Sequence, residues 1–261
     1  SLDVKGVMNI QFVLSEDRQT VYVLEVNPRA SRTVPIANKV AGVPIVDLAT
    51  RIQMGESLKD QDWELGLHKD VPYFAVKMPI FSTNKLPGLD PVLGPEMKST
   101  GEAIGLGSTV EQATAKAFAW KQDSLTQLTE HDTVFLSTPE VDSLLLQQLK
   151  ALSAHIQADE ATVAVLEEAG IKVSAVTLDE AERRSLDEGY AFILDTHRTG
   201  EQDEHVTLRE AALRSDTLCF TSNDTLKAYL GALTQKLEKP QSIQQYREHY
   251  QELNKKERVT Q

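Results

Sequence analysis

From about residue 130 onward, short apolar runs alternate with helical patterns of roughly ten residues, and few architectures accept that rhythm. Apolar runs lie at 133–137, 155–158, 171–176, 190–194 and 217–221. Between them the spacing predicts helices over 141–152, with Leu144, Leu145, Leu146 and Leu149, and over 159–168, 178–187, 207–214 and 224–236. Gly170 and Gly189 stand where the second and third of these should stop. Strand–helix alternation of this kind predicts βαβ units and a parallel sheet covered on both faces, here a five-stranded Rossmann-like domain.

The first part reads differently. Residues 7–14 and 20–26 are β-rich runs separated by the polar cluster Ser15 to Gln19, which predicts an antiparallel hairpin. Apolar residues at helical spacing follow from Val34 to Met54. Pro44 excludes Val43 from the helical region, so two short helices are expected, with Gly55 as the second one's C-cap. A strand over 73–81 carries Pro79, which places that point at an edge or bulge. Residues 82–101 hold Pro87-Gly88, Asp90-Pro91 and Gly94-Pro95 and read as loop. A strand at 101–107 and a helix at 109–120 complete this part, which has no closed architecture of its own. Because the chain opens almost directly on a strand, a piece of a longer protein is expected.

Charge divides the chain in the same place. Of 261 residues, the first 120 carry 12 Lys and Arg against 14 Asp and Glu; the remaining 141 carry 15 against 25. Nearly all of the net charge of −12 therefore lies in the second part. That argues against a nucleic-acid or anionic-membrane partner, since both require clustered cations. Cys219 is the only cysteine, which excludes an intrachain disulfide and a CxxC metal site. No apolar run reaches the ~18 residues of a membrane span, and no signal peptide is visible, so a cytoplasmic protein is expected. The six histidines show no metal-ligand spacing and read as surface residues, while Cys219 reads as a small buried hydrophobe.

The string Glu25-Val26-Asn27-Pro28-Arg29-Ala30-Ser31-Arg32-Thr33-Val34-Pro35 carries the densest chemistry. Residues two apart on a strand share a face, so Glu25 and Asn27 point the same way. Gln11 on the partner strand can lie beside Glu25. Three oxygen donors from two strands suit Mg²⁺, a hard ion that completes its shell with phosphate and water. Arg29 and Arg32, three apart, can face one oxyanion. A metal with an arginine clamp is equipment for phosphoryl transfer. A strand end followed by a proline turn and two surface arginines is the plainer reading of the same residues.

Residues 6–58, through Met8-Asn9-Ile10-Gln11-Phe12, the Glu25–Pro35 string, Lys39, Gly42-Val43-Pro44 and Ala49 to Arg51, resemble the end of an ATP-grasp domain. The likeness is specifically to the second synthetase unit of the carbamoyl-phosphate synthase large chain. It continues through Phe81, Asn84-Lys85, Pro87 to Pro91 and Leu93-Gly94-Pro95-Glu96-Met97-Lys98-Ser99-Thr100-Gly101-Glu102. Biotin carboxylases share a Glu-x-Asn-x-Arg core but continue into Val-Glu-His, unlike Ala30-Ser31-Arg32-Thr33 here. The resemblance implies a partial ATP-grasp domain over 1–120, a linker over 121–131, a methylglyoxal-synthase-like regulatory domain over 132–238 and a tail over 239–261.

The resemblance also implies a ligase working on ATP, bicarbonate and ammonia or carbamate, with the ammonia drawn from a glutaminase small subunit and the remainder of the large chain as partner. Gln11, Glu25 and Asn27 would ligate Mg²⁺ or Mn²⁺ bridging the ATP phosphates, and Arg29 and Arg32 would hold the phosphoryl and acceptor oxygens. A fragment of this extent lacks the adenine pocket and is expected to be inactive alone, and to oligomerise if it exposes surface normally covered. The alternative is a free-standing, non-catalytic binding module with a vestigial ATP-grasp segment.

The regulatory domains of this family bind a nucleotide such as UMP or IMP, with its phosphate in a Thr-His-Gly-Thr-type loop. Here Asp159-Glu160-Ala161-Thr162 stands at that loop, and Asp195-Thr196-His197 replaces an Asn-Thr-Thr string. Ser143 and Leu178 fall near positions where relatives carry lysines. Thr162, Thr196 and Thr221 remain as candidate effector contacts. Acids where a phosphate should sit predict loss of nucleotide control, which suits arginine rather than repressible pyrimidine biosynthesis. Asp159-Glu160 and Thr221 to Asp224 also read simply as helix caps.

Overall fold

In a computed structural model the described residues are 3–61, 63, 66–67, 70–82, 91–92, 94, 97–119, 127–197, 204–237, 241–245 and 248. They fall into two compact units, one drawn from residues 1–73 and 239–261, the other from 74–238. The sequence strings at 83–90 and 95–96 and most of the tail lie outside the described residues.

The first unit opens on the expected hairpin, β1 (Asn9–Leu14) antiparallel to β2 (Val21–Asn27). Its turn is closed by Asp17, whose carboxylate accepts from the Ser15 hydroxyl at 2.6 Å and from the Gln19 amide at 3.1 Å. The pairing shifts register between Gln11 and Phe12, with Leu24 as the extra residue of β2. Two short helices follow, α1 (Val34–Ala41) and α2 (Ile45–Gln53), separated as Pro44 requires. Gly42, at φ +76°, supplies the left-handed residue that closes α1. The second helix departs from expectation. Met54 caps it in a right-handed conformation, and Gly55 turns left-handed only afterwards. Of this unit's described apolar residues, only Val34 and Tyr73 are buried, whereas Phe12, Leu14, Val21, Tyr22, Val23 and Leu24 are exposed.

The second unit begins with β3 (Phe74–Ile80) and β4 (Gly101–Gly107), antiparallel and in register without a bulge. Pro79 sits opposite Glu102, and a two-stranded ribbon tolerates it because each strand keeps one edge unpaired. Helix α3 (Val110–Phe118) is capped by Thr109, whose hydroxyl accepts from the Gln112 amide, and lies on the ribbon with Ala113, Ala115 and Ala117 buried.

The parallel domain follows in the expected order: β5 (Thr133–Ser137), α4 (Ser143–Lys150), β6 (His155–Ala158), α5 (Glu160–Glu168), β7 (Ser174–Ala175), α6 (Leu178–Asp187), β8 (Phe192–Asp195), α7 (Glu204–Arg214), β9 (Leu218–Phe220) and α8 (Asn223–Leu233). The five strands are parallel in the order β7-β6-β5-β8-β9. Alternate residues of the central strands enter opposite layers, as the pleat demands. Val134, Leu136, Phe192 and Leu194 pack with α3, α4, α5 and α8, while Phe135 and Ile193 pack with α6 and α7. Phe118 of α3 meets Phe220 and Tyr229 edge-on, so the ribbon's helix shares this core. Strand β7 is shorter than the apolar run at 171–176 suggests, since only Ser174 and Ala175 pair with β6. Helix α7 starts earlier than the spacing indicates, at Glu204.

Burial pushes the phenols of Tyr190 and Tyr229 up to about 12. Their folded values lie above the unfolded value of about 10, so their contribution to stability is whole below that pH and is lost as pH rises toward 12. A spectrophotometric titration at alkaline pH should show Tyr190 and Tyr229 ionising late, and Tyr190→Phe and Tyr229→Phe should each remove one such tyrosine.

Chain order reverses beside β5, which has β6 on one side and β8 on the other. In open α/β sheets the crevice at the carboxyl ends of strands at such a point is where ligands bind.

Candidate functional site

Two groups of polar residues stand out, one in each unit. In the first, Gln11 lies directly opposite Glu25 and Asn9 opposite Asn27. The bulge at Leu24 creates this match; without it every pair beyond would slip by one and exchange faces. Asn27 donates its amide to Glu25 Oε1 at 2.8 Å, which fixes both side chains on the shared face. Glu25 and Gln11 are exposed and Asn27 is half-buried. Asn9 completes the polar face and was not singled out by sequence reasoning. Its place two residues before Gln11 was the available signal.

Pro28 ends the strand because it has no amide hydrogen to give the ladder. The chain then turns tightly, with the Arg29 amide donating to Asn27 O at 2.8 Å. Arg29 and Arg32 are both exposed on the segment before α1. The Arg29 guanidinium donates to the neighbouring Ala30 carbonyl at 3.1 Å. The donor set of the hairpin face is carboxylate and amide oxygen, which fits a hard divalent ion.

The second group lies at the carboxyl ends of β5, β6 and β8. Thr196 and Thr221 line one cavity of about 510 Å³ together with Glu140, Asp142, Asn223 and Lys227. Thr162 is not in it. It is fully buried, its hydroxyl donating to Thr138 O and accepting from the Thr138 amide. The cavity's lysine is engaged: Lys227 Nζ donates to Asp142 at 2.5 Å and to Asp224 at 2.8 Å. These bonds raise the Lys227 pKa, and the lysine together with the Leu145 amide lowers that of Asp142, which also caps α4.

Asp159 caps α5, one oxygen accepting from the Thr162 amide at 2.7 Å and the other from the Ser137 hydroxyl. Beside it, Asp195 at the end of β8 is fully buried and paired with the equally buried Arg209 of α7 at 2.6 Å. Its second oxygen lies 3.2 Å from Nδ1 of both His197 and His205, whose rings stack at 4.1 Å. Sequence reasoning assigned the histidines to the surface. The structure instead draws two of them onto one carboxylate, His197 just after β8 and His205 in the first turn of α7.

Among the described residues no helix is long and apolar enough to cross a membrane. Residues 1–61 match the family model described as carbamoyl-phosphate synthase L chain, ATP binding domain. Carbamoyl phosphate synthase large chains of Clostridium botulinum (strain Kyoto) and Thermoanaerobacter sp. (strain X514) are each 39% identical to the chain, over 87% and 89% of it respectively. That of Clostridium beijerinckii is 35% identical over 94% of it. The matched segments make up 22% of the first two relatives and 24% of the third, so the chain spans less than a quarter of their length. An ATP-binding-domain match over residues 1–61 and identities of 35–39% over 87–94% of the chain make it similar to a segment of the carbamoyl phosphate synthase large chains.

Proposed function

We propose that the chain is the C-terminal part of a carbamoyl-phosphate synthase large chain, and that its hairpin face serves the phosphorylation of carbamate by ATP. The cross-strand match of Gln11 with Glu25, and the Asn27–Glu25 bond beside it, carry this reading. Gln11, Glu25 and Asn27 would hold Mg²⁺ or Mn²⁺, which would neutralise charge on the ATP phosphates. Arg29 and Arg32 receive the carbamate and the transferring phosphoryl oxygens. Positioning and charge neutralisation carry the barrier, so no general base is required in this segment. The exposed apolar residues of the β1–β2 hairpin support a further part of the synthetase covering it; bare, the chain makes no carbamoyl phosphate and self-associates.

The test belongs in a full-length large chain containing this segment. Carbamoyl phosphate and ADP should form ATP and carbamate by reversal of the step. Glu25→Gln should slow that reaction by about 100-fold, the usual scale for removing one transition-state charge partner. An unchanged rate would overturn the assignment.

The same proposal extends to the parallel domain, which we infer to be a methylglyoxal-synthase-like regulatory domain without nucleotide-phosphate control. Its cavity presents Glu140, Asp142 and Asp224, and its Lys227 already serves two carboxylates. A phosphate entering there meets like charge and must displace an ion pair. Calorimetric titration with UMP and with IMP should show no binding at micromolar concentration, and micromolar binding of either sinks the inference.

A further inference from the structure

The cluster at the end of β8 has a geometry that the phosphate-transfer reading leaves unused. Asp195 Oδ1, His197 Nδ1 and His205 Nδ1 form a triangle in which both edges from Oδ1 are 3.2 Å. Ligand atoms of all three residues lie within 4.8 Å of one another. An ion bound tetrahedrally at about 2.0–2.1 Å holds its ligand atoms about 3.4 Å apart. Charge-assisted hydrogen bonds to a carboxylate are shorter, about 2.7–2.9 Å. Oδ1 accepts from the His197 amide at 3.1 Å and is within hydrogen-bond reach of His197 Nδ1, and the 3.2 Å spacing to both imidazoles is also close to the edge of a coordination tetrahedron.

The surroundings favour an ion over a bare cluster. Arg209 bonds the other oxygen of Asp195 and also donates to the His197 carbonyl at 3.3 Å, which fixes the carboxylate with Oδ1 facing the rings. Outer partners of this kind orient ligands in metal sites. Ser137 lies 3.2 Å from His197 Nδ1 and donates to Asp159, adding a second carboxylate nearby to offset positive charge. The His197 and His205 side chains keep 28% and 14% of their exposure while Asp195 keeps none. The histidines, and not the carboxylate, are thus the members of the cluster that reach solvent. Two imidazoles and one carboxylate are a donor set for Zn²⁺ and neighbouring transition ions, not for Mg²⁺.

We propose that Asp195, His197 and His205 form a transition-metal site, with Zn²⁺ as the ion that fits it and with Arg209 as the residue that positions its carboxylate. It is separate from the oxygen-only face of the hairpin in donor chemistry and in unit.

Equilibrium dialysis of the 261-residue chain against micromolar Zn²⁺, followed by metal analysis, should find one ion per chain, retained in millimolar Mg²⁺. Co²⁺ in place of Zn²⁺ should give the visible absorption of a four-coordinate site. His197→Gln and His205→Gln should each weaken Zn²⁺ binding by about 100-fold or more, with far-ultraviolet circular dichroism unchanged. Glu25→Gln should leave both readouts as they were. A stoichiometry near zero overturns the site. So does binding that survives both histidine substitutions, which places the ion elsewhere. If either histidine variant unfolds, His205→Asn and the Co²⁺ spectrum of the wild type decide, the absence of four-coordinate bands counting against the proposal.

Discussion

Gly105→Ala should destabilise the unit of residues 74–238 by about 4 kcal/mol, at the upper end of what a single core substitution does. A Cβ built at Gly105 would stand 1.8 Å from the Ala113 carbonyl oxygen and 2.5 Å from the Ala117 amide nitrogen. Both are backbone atoms of α3, so no rotamer change relieves the clash. The helix must lift from β4, and lifting it withdraws Phe118 from its contacts with Phe220 and Tyr229. Gly107 is nearly as confined, with the Ala113 amide nitrogen at 2.5 Å. Gly101 on the same strand is the control. There a Cβ meets only Ile80 Cβ at 3.7 Å, an ordinary contact, and Gly101→Ala should be near neutral. At ~4 kcal/mol, Gly105→Ala should lower the melting temperature of a unit this size by roughly 10 °C. A shift no larger than that of Gly101→Ala would disprove the close packing.

That packing shows where the sequence is legible and where it is not. The strand at 101–107 follows from its apolar content, but nothing local says that its glycines face a helix. The alanines four apart at 113 and 117 mark a helix face able to approach closely, and the match with Gly105 and Gly107 is a tertiary fact. Patterns of period two and 3.6 place the strands and α-helices of the described residues closely, since each depends on neighbours in sequence. They mislead where pairing decides. Strand β7 is confined to Ser174 and Ala175, which pair with Gln157 and Ala158 of β6.

The hairpin face was legible because Glu25 and Asn27 lie on one strand and the polar loop sets their partner. The bulge at Leu24, which decides that Gln11 rather than a neighbour faces Glu25, left no mark in the pattern. The Asp195 cluster was hidden more deeply. His197 and His205 lie eight residues apart and meet only because β8 and the start of α7 converge at the sheet's carboxyl edge. The excess acidity of the second part is likewise not one uniform property. Asp142 and Asp159 cap helices, Asp195 neutralises a buried arginine, and Asp224 holds Lys227.

Arg209→Met should cost about 3–5 kcal/mol, the range found when one member of a buried ion pair is removed. Arg209 and Asp195 are both fully buried, and their 2.6 Å contact is what permits a carboxylate at the core end of β8. Methionine fills much of the arginine's volume, so the loss is mainly electrostatic: Asp195 Oδ2 is left without its donor where water does not reach. Asp195→Leu alone should cost a similar amount, because it strands the guanidinium instead. The double variant Asp195→Leu/Arg209→Met is the informative one. With neither charge present no desolvation is left uncompensated, so its stability should lie within about 1–2 kcal/mol of wild type rather than at the sum of the single losses. Chemical denaturation of the four proteins gives the coupling directly. Additive losses would mean that the pair is not the buried, mutually dependent unit that its geometry describes. The same double variant removes a ligand of the proposed Zn²⁺ site while keeping the fold, so loss of metal from a stable protein would separate the pair's structural role from its coordinating one.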